Sequence, residues 1–391
     1  MSSLVGECFA VEIERILPGG LGLAHAAGKT LFVSLAAPGD KVRVQVEREQ
    51  GNVLFASIVE ILTPSSVRVE PPCPYFGRCG GCDFQQLTYE AQLAAKAEII
   101  GDCLQRIARL DHVPQIEVQP SPYDWRYRVR ATWQIDREQQ TIGYYERGSR
   151  RVCDVVECAV LMPELQRTLE RVRATSWDEF PAELKHLDVV AGENGVSVSP
   201  EFAEFRTNEL SLRVGNEVYR YNAESFFQIN PALVGKMIEF ALGDAGGAAA
   251  LDLYCGVALF TLPLARRFEK VVGVEANPNA VRFAKRNLQD AGLENARVVN
   301  AGVADWIRRG SQAVEFVLLD PPRAGAESVV IRGILNLGPE RISYVSCDPA
   351  TLARDLKKLL AGGYAIEALR GFDLFPQTHH VETVVLLRRL S

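Results

Sequence analysis

Hydrophobic and polar positions change rhythm twice along the chain. Between residues 6 and 62, apolar and polar residues alternate in FAVEIERI, TLFVSLA, DKVRVQVERE and VLFASIVEIL, separated by PGGLG, AAGK, APGD and QGN. Such alternation, bounded by glycine and proline, predicts the strands of a small β-barrel. Residues 88–110, TYEAQLAAKAEIIGDCLQRIARL, switch to helical spacing behind a threonine that can cap the first turn. Residues 123–221 return to strand-like alternation, with a hairpin at QTIGYYERG and a helical piece near 163–175. After Asn222 the grammar becomes strand, loop, helix, repeated: AALDLY, KVVGVE, ARVVN, EFVLLD and ISYVSC are short apolar runs, interleaved with amphipathic segments such as NPNAVRFAKRNLQDAG. That pattern predicts a doubly wound, mostly parallel sheet that binds ligands beyond the carboxyl ends of its strands. The expected architecture is multidomain α/β: an OB-like barrel over 1–64, a mostly-β domain over 65–222 and a Rossmann-like domain over 223–391. The helix over 88–110 is free to pack on the last of these.

Composition adds little until the cysteines are considered. The 391 residues are 47% hydrophobic and 24% charged, with no apolar run long enough to span a bilayer. The N-terminus shows no basic stretch followed by an apolar core, so a cytoplasmic protein with reduced thiols is expected. Nine cysteines then point to metal ligation or catalysis and away from a disulfide framework. The net charge of −6 argues mildly against non-specific nucleic-acid binding. Residues 126–151 run against it: Arg126, Arg128, Arg130, Arg137, Arg147, Arg150 and Arg151 are interleaved with Tyr127, Trp133, Tyr144 and Tyr145. Arginines among aromatics suit single-stranded RNA, with Arg128 and Arg130 as expected contacts; a solvated strand pair reads the same way.

The candidate chemistry concentrates near the C-terminus. LDLYCGVALFTLPLA is a strand, a tight loop and a helix, and the next strand ends on Glu275, where a carboxylate can accept both ribose hydroxyls of an adenosine. The loop has Gly256 and Ala258 but lacks the three-glycine fingerprint of a dinucleotide site. S-adenosylmethionine, which carries no phosphate, fits better. Asp320 ends a strand before two prolines, and Cys347 ends another just before a helix, whose N-terminal dipole is expected to lower a thiol pKa. Glu382 opens the terminal strand and alone reads as an edge charge.

SFFQIN, DLYCG, GVEANP, DPPRAG, SCDPATLARDL and HHVETVVLL together, in order and spacing, resemble the RNA uracil-C5 methyltransferase family. Residues 6–62 resemble the TRAM barrel that precedes the catalytic part in many members. The resemblance implies an enzyme producing 5-methyluridine, with Gln228, Tyr254, Glu275 and Asp320 holding S-adenosylmethionine, Cys347 as nucleophile and Glu382 as base. Ala258 departs from the family, whose members usually have glycine there.

Cys73, Cys79 and Cys82 give a C-x5-C-x2-C spacing, and Cys153 or Cys158 can complete a four-thiolate site for zinc or for an iron–sulfur cluster. The family's iron–sulfur members have the same triplet and a fourth cysteine in a context matching Cys158. The resemblance therefore implies a [4Fe-4S] cluster on Cys73, Cys79, Cys82 and Cys158, expected to order the central loops and shape an RNA surface.

Two enzymatic rivals fit less well. A radical methylthiotransferase requires C-x3-C-x2-C and a barrel of repeated βα units, neither of which is present. A cytosine-C5 methyltransferase uses a cysteine in a Pro-Cys context, whereas the DPPR segment has no cysteine where that class requires one. Barrel and cluster together favour 23S rRNA as substrate, with the transfer-RNA T-loop as the alternative. A catalytically inactive iron–sulfur RNA-binding sensor is the alternative of another class. The partner is RNA, with no membrane and no obligatory protein partner; the expected state is a monomer.

Overall fold

The computed structural model of the chain describes residues 3–310 and 313–390. Strict alternation in Lys41–Gln50 buries Val42, Val44 and Val46 and exposes Lys41, Arg43 and Gln45, so one face of the N-terminal sheet becomes a core with Val11, Leu31, Val33 and Leu54. Six strands form this sheet, in the order Cys8–Glu12, Lys41–Gln50, Val53–Thr63, Lys29–Val33, Gly22–Ala26, Arg15–Ile16. The two outer strands are not paired, so among the described residues the expected barrel is not closed.

Thr88 accepts a hydrogen bond from the Ala91 amide (3.3 Å) and starts the helix Tyr89–Cys103. The helix widens into a π-turn, Leu104–Ala108, and stops at Arg109 with φ +60°. Ile100, Cys103, Leu104 and Ala108 enter one of the two cores of the C-terminal sheet. Lys96 and Asp373 form an ion pair with both side chains fully buried.

The central sheet is antiparallel, in the order Val152–Asp154, Thr141–Tyr145, Arg130–Asp136, His186–Gly192, Gly195–Ser199. The helix Pro163–Ala174 packs on it through Leu165, Leu169 and Val172.

The C-terminal sheet has eight strands: Ala296–Asn300, Phe268–Glu275, Gly247–Leu253, Phe316–Leu319, Arg341–Ser346, Glu382–Arg389, Tyr364–Phe372 and Val118–Gln119. The first five are mutually parallel, and Glu382–Arg389 runs antiparallel between Arg341–Ser346 and Tyr364–Phe372. Val118–Gln119 comes from the segment ahead of the central sheet, so this sheet draws on residues before 223. Strand order reverses at Gly247–Leu253, whose neighbours lie on opposite sides, and this opens a ligand crevice above the strand's carboxyl end.

Candidate active site and cysteine-lined cavity

Sheet register builds the reactive centre. Ser346 pairs with Thr383 across two antiparallel strands, so Cys347 and Glu382, one residue further along, face each other at the same end. On the other side of Arg341–Ser346, Leu319 pairs with Tyr344 in parallel and brings Asp320 to the same edge, where its amide donates to Leu253 O (3.2 Å). Three residues beyond Asp320, Arg323 faces both Cys347 and Glu382. Its Nη2 lies 3.1 Å from His380 Nε2, and a guanidinium has no acceptor, so the imidazole nitrogen accepts.

This centre is enclosed. Burial pushes the Cys347 thiol up to about 12; Glu382 and Asp320 raise it further and Arg323 opposes them. Burial and then Asp320 hold the Glu382 carboxyl well above its usual range, again against Arg323, and burial lifts Asp320 to about 7. The thiol lowering expected from the following helix is therefore not what the free chain shows. Asp348 caps that helix by accepting from the Thr351 amide (2.8 Å), while the half-buried thiol itself sits among carboxyl groups.

Glu275, Tyr254 and Gln228, three of the residues expected to hold a methyl donor, lie as follows. Glu275 Oε2 accepts from the Gly256 amide (3.0 Å) and Oε1 from the Asn277 amide (2.7 Å), which fixes the carboxylate over the loop and leaves lone pairs for a ligand. Tyr254 and Ala258 both take left-handed backbone conformations, φ +64° and +75°. That conformation costs a non-glycine residue about 1–2 kcal/mol, which accounts for the glycine usual at position 258. Behind the loop, Asp252 accepts from the Thr261 hydroxyl (2.6 Å), is pushed up to about 8 by burial, and keeps Oδ1 without a partner. Gln228 is buried on the loop ahead of the helix Pro231–Leu242, where Phe226 stands 62% exposed.

Arg128 and Arg130 are half-buried with their guanidinium groups turned inward, which counts against their reading as RNA contacts. Arg130 donates to the Ala223 and Ser225 carbonyls (2.7 Å each) and so shapes the Gln228 loop. Arg128 lines an internal cavity. Trp133 and Tyr127 are core residues, and the Tyr127 hydroxyl donates to Pro376 O (2.9 Å). The exposed aromatics are Tyr123, Tyr145 and Phe226. Asp252, Arg323 and His380 carry no signal of their own in the sequence: a lone arginine after two prolines looks like a loop charge until the strands are ordered.

The cavity beside Arg128 is small, about 20 Å³, and is walled by Cys73, Cys79, Cys82 and Cys158. Cys153 is not on its wall; it lies in the strand Val152–Asp154 and accepts from Arg78 Nε (3.3 Å). Burial pushes Cys79 up to about 11 and Cys82 to about 12, while Arg128 opposes the Cys82 shift. Arg128 Nε and Gln85 Oε1 are buried without partners. An unpaired cationic donor beside four thiols suits an anionic multi-thiolate group. Among the described residues, no three His, Cys, Asp or Glu side chains converge on a position for a single ion.

A family model described as tRNA (Uracil-5-)-methyltransferase matches residues 182–390. A second, the TRAM domain of tRNA (uracil(54)-C(5))-methyltransferase, matches residues 9–67. The chain is 33% identical to the 23S rRNA (uracil(1939)-C(5))-methyltransferase RlmD of Vibrio parahaemolyticus, across 97% of this chain and 96% of that one. It belongs to the RNA uracil-C5 methyltransferase family. It is also 31% identical to an uncharacterized RNA methyltransferase of Aquifex aeolicus, over 96% of this chain and 97% of that one. Its fold matches the crystal structure of a Pyrococcus abyssi tRNA (uracil-54, C5)-methyltransferase in complex with S-adenosyl-L-homocysteine, with a TM-score of 0.76, 24% identity, and coverage of 97% of this chain and 100% of that one. The N-terminal sheet is thus a TRAM domain and the C-terminal sheet a Rossmann-like methyltransferase domain. As a member of the uracil-C5 family, the enzyme uses S-adenosylmethionine and acts on RNA. No helix among the described residues is long and apolar enough to cross a membrane.

Proposed function

We propose that the chain methylates carbon 5 of one uridine in 23S rRNA through a covalent bond between Cys347 and carbon 6 of the ring. The observation that carries this reading is the register that sets Cys347 across from Glu382, with Asp320 at the adjacent strand end. Carbon 5 of uracil is too weak a nucleophile to attack a sulfonium methyl group unaided. Addition of the Cys347 thiolate at carbon 6 moves the ring's electron pair onto the carbonyl oxygen as an enolate. Carbon 5 then takes the methyl group as its bond to sulfur breaks, releasing S-adenosylhomocysteine. Glu382 accepts the carbon-5 proton, the double bond re-forms and the thiolate leaves. Arg323 supplies the positive charge against which thiolate and carboxylate can form. Gln228, Tyr254, Glu275 and Asp320 hold the methyl donor, with Glu275 placed to accept its ribose hydroxyls. The exposed Tyr123, Tyr145 and Phe226 offer stacking faces for unpaired bases around the target.

End-to-end likeness to the Vibrio enzyme supports 23S rRNA; the TRAM match and the Pyrococcus fold keep the transfer-RNA T-loop as the second reading. Incubating anaerobically purified protein and S-adenosylmethionine with unmodified 23S rRNA and tRNA, then mapping methylated nucleosides by mass spectrometry, decides between them. We expect 5-methyluridine at one 23S position. Product in tRNA alone would move the assignment to the T-loop, and RNA binding without turnover would favour the sensor.

Cys73, Cys79, Cys82 and Cys158 hold a [4Fe-4S] cluster in this reading. The shared cavity and the unpaired Arg128 donor support it. Holding such a cluster, Cys158 would be tied to the loop of Cys73, Cys79 and Cys82; the methyl transfer itself needs no redox step. Cys158→Ser is expected to lose most of the iron retained after anaerobic reconstitution, whereas Cys153→Ser keeps it. Full iron content in Cys158→Ser would exclude Cys158 as a ligand.

A further inference from the structure

The segment 373–381, between the strand Tyr364–Phe372 and Glu382, has no regular structure of its own. Other parts of the chain hold its backbone. The Gln377 amide donates to Gln92 Oε1 (2.9 Å), and Gln377 O accepts from the amides of Asp83 (3.1 Å) and Phe84 (3.0 Å). These bonds keep Gln377 at φ +68°, a left-handed conformation seldom taken by a residue with a side chain. Two residues later the contact with the cysteine loop tightens. The His379 amide donates to Asp83 Oδ1 (2.8 Å), and His379 Nδ1 lies 2.5 Å from Asp83 Oδ2. Both carboxylate oxygens of the residue that follows Cys82 are thus committed to one histidine. The His380 ring lies 4.1 Å from that of His379 and contacts Arg323, which faces Cys347 and Glu382. The TRAM domain closes the junction at Gly20: a Cβ there would come within 3.0 Å of His379 Cβ and 3.2 Å of Asp83 Oδ2.

The geometry points to Asp83 and His379 as positioning residues that couple the cysteine-lined cavity to the reactive thiol, by holding His380 and Arg323 in place over Cys347 and Glu382. The inference rests on the cluster reading of the cavity. Residues 73–85 contain turns and isolated bridges but no helix or strand, so four bonds to a cluster would fix the loop on one side of Asp83, as the bonds of Asp83 and Phe84 to Gln377 O fix it on the other. From Asp83 the path to Arg323 has three contacts: the Asp83–His379 hydrogen-bond pair, the His379–His380 ring contact and the guanidinium–imidazole bond of Arg323 to His380. A displacement of about 1 Å in a reacting group can lower turnover on the order of 100-fold, so a restraint of this kind matters to rate before it matters to binding. It also gives the cluster a task in an enzyme whose chemistry needs no electron transfer.

Full-length parent, Asp83→Ala and Asp83→Asn, each reconstituted anaerobically with iron and sulfide, test the coupling. Three quantities are read: bound iron with its visible absorbance, kcat and KM for the RNA, and the iodoacetamide alkylation rate of Cys347 in RNA-free protein, followed by peptide mass spectrometry. Asp83→Ala is expected to keep its iron and an RNA KM within about twofold of the parent, while kcat falls roughly 10- to 100-fold and Cys347 alkylation shifts severalfold. Asp83→Asn, which still offers an oxygen to the His379 amide, is expected to recover part of both losses. An iron-replete Asp83→Ala with parental kcat and alkylation would overturn the coupling alone. So would a kcat that falls only in step with lost iron. A parent that retains no iron would overturn the cluster reading, and the coupling with it.

Discussion

Cys347→Ala is expected to abolish 5-methyluridine formation, by on the order of 10⁴-fold or more, while binding of S-adenosylmethionine persists. The size of the loss follows from the chemistry: without addition at carbon 6 the ring has no enolate, and neither Arg323 nor the bound methyl donor substitutes for the missing bond. Glu382→Gln is expected to fail differently. Addition and methyl transfer still proceed, but the carbon-5 proton has no acceptor, so elimination stalls and methylated RNA stays attached to protein. A denaturing gel with labelled RNA separates the two: a slow-migrating adduct with Glu382→Gln and none with Cys347→Ala. Persistent turnover in Cys347→Ala would sink the covalent mechanism, and adduct-free, fully active Glu382→Gln would remove Glu382 as the base. The enclosed site sharpens the expectation. Thiol and carboxyls all sit above their ordinary values through burial, and the sulfonium charge of a bound donor favours their ionised forms.

The parts of this site that were legible in the sequence are those written in local pattern. EFVLLD and ISYVSC are apolar runs closed by a reactive side chain, and a parallel sheet carries both to the same edge. Distinguishing Glu382 from an edge charge took either the family resemblance or the pairing of Ser346 with Thr383, because a period-two pattern is silent about its partner strand. Arg128 and Arg130 show the reverse failure. Arginine between aromatics reads identically whether it points to solvent or inward, and here the carbonyls of Ala223 and Ser225, some 95 residues away, claim Arg130. Spacing alone leaves Cys153 and Cys158 equivalent and the family resemblance points to Cys158; strand pairing of Cys153 with Tyr144 puts it off the cavity wall and leaves Cys158 on it. The edge strand Val118–Gln119 is two residues long, below what any periodicity can report. Barrel closure depends on whether the outer strands meet, which alternation within a strand does not encode.

Asp373→Ala is expected to destabilise the protein by about 3–5 kcal/mol, the range for removing one partner of a buried ion pair. Lys96 and Asp373 are both at 0% side-chain exposure, so the ammonium left behind could not reach water without opening the packing. Its remaining partner would be Phe375 O at 3.0 Å. Burial already pushes the Lys96 pKa down, with Asp373 as the main opposing influence, so removing the carboxylate takes away most of what keeps the lysine charged. Replacing both residues, as Lys96→Met with Asp373→Val, removes the uncompensated charge as well as the pair, and should restore more than half of the lost stability. Urea unfolding followed by circular dichroism at pH 7 reads both variants. The pair fastens helix Tyr89–Cys103 to the segment that leads through His379 and His380 to Glu382. The single variant should therefore lose activity at temperatures where the double variant keeps it. An Asp373→Ala protein within about 1 kcal/mol of the parent would mean that Lys96 finds water or sheds its proton cheaply, and that helix Tyr89–Cys103 is held in place by its apolar contacts alone.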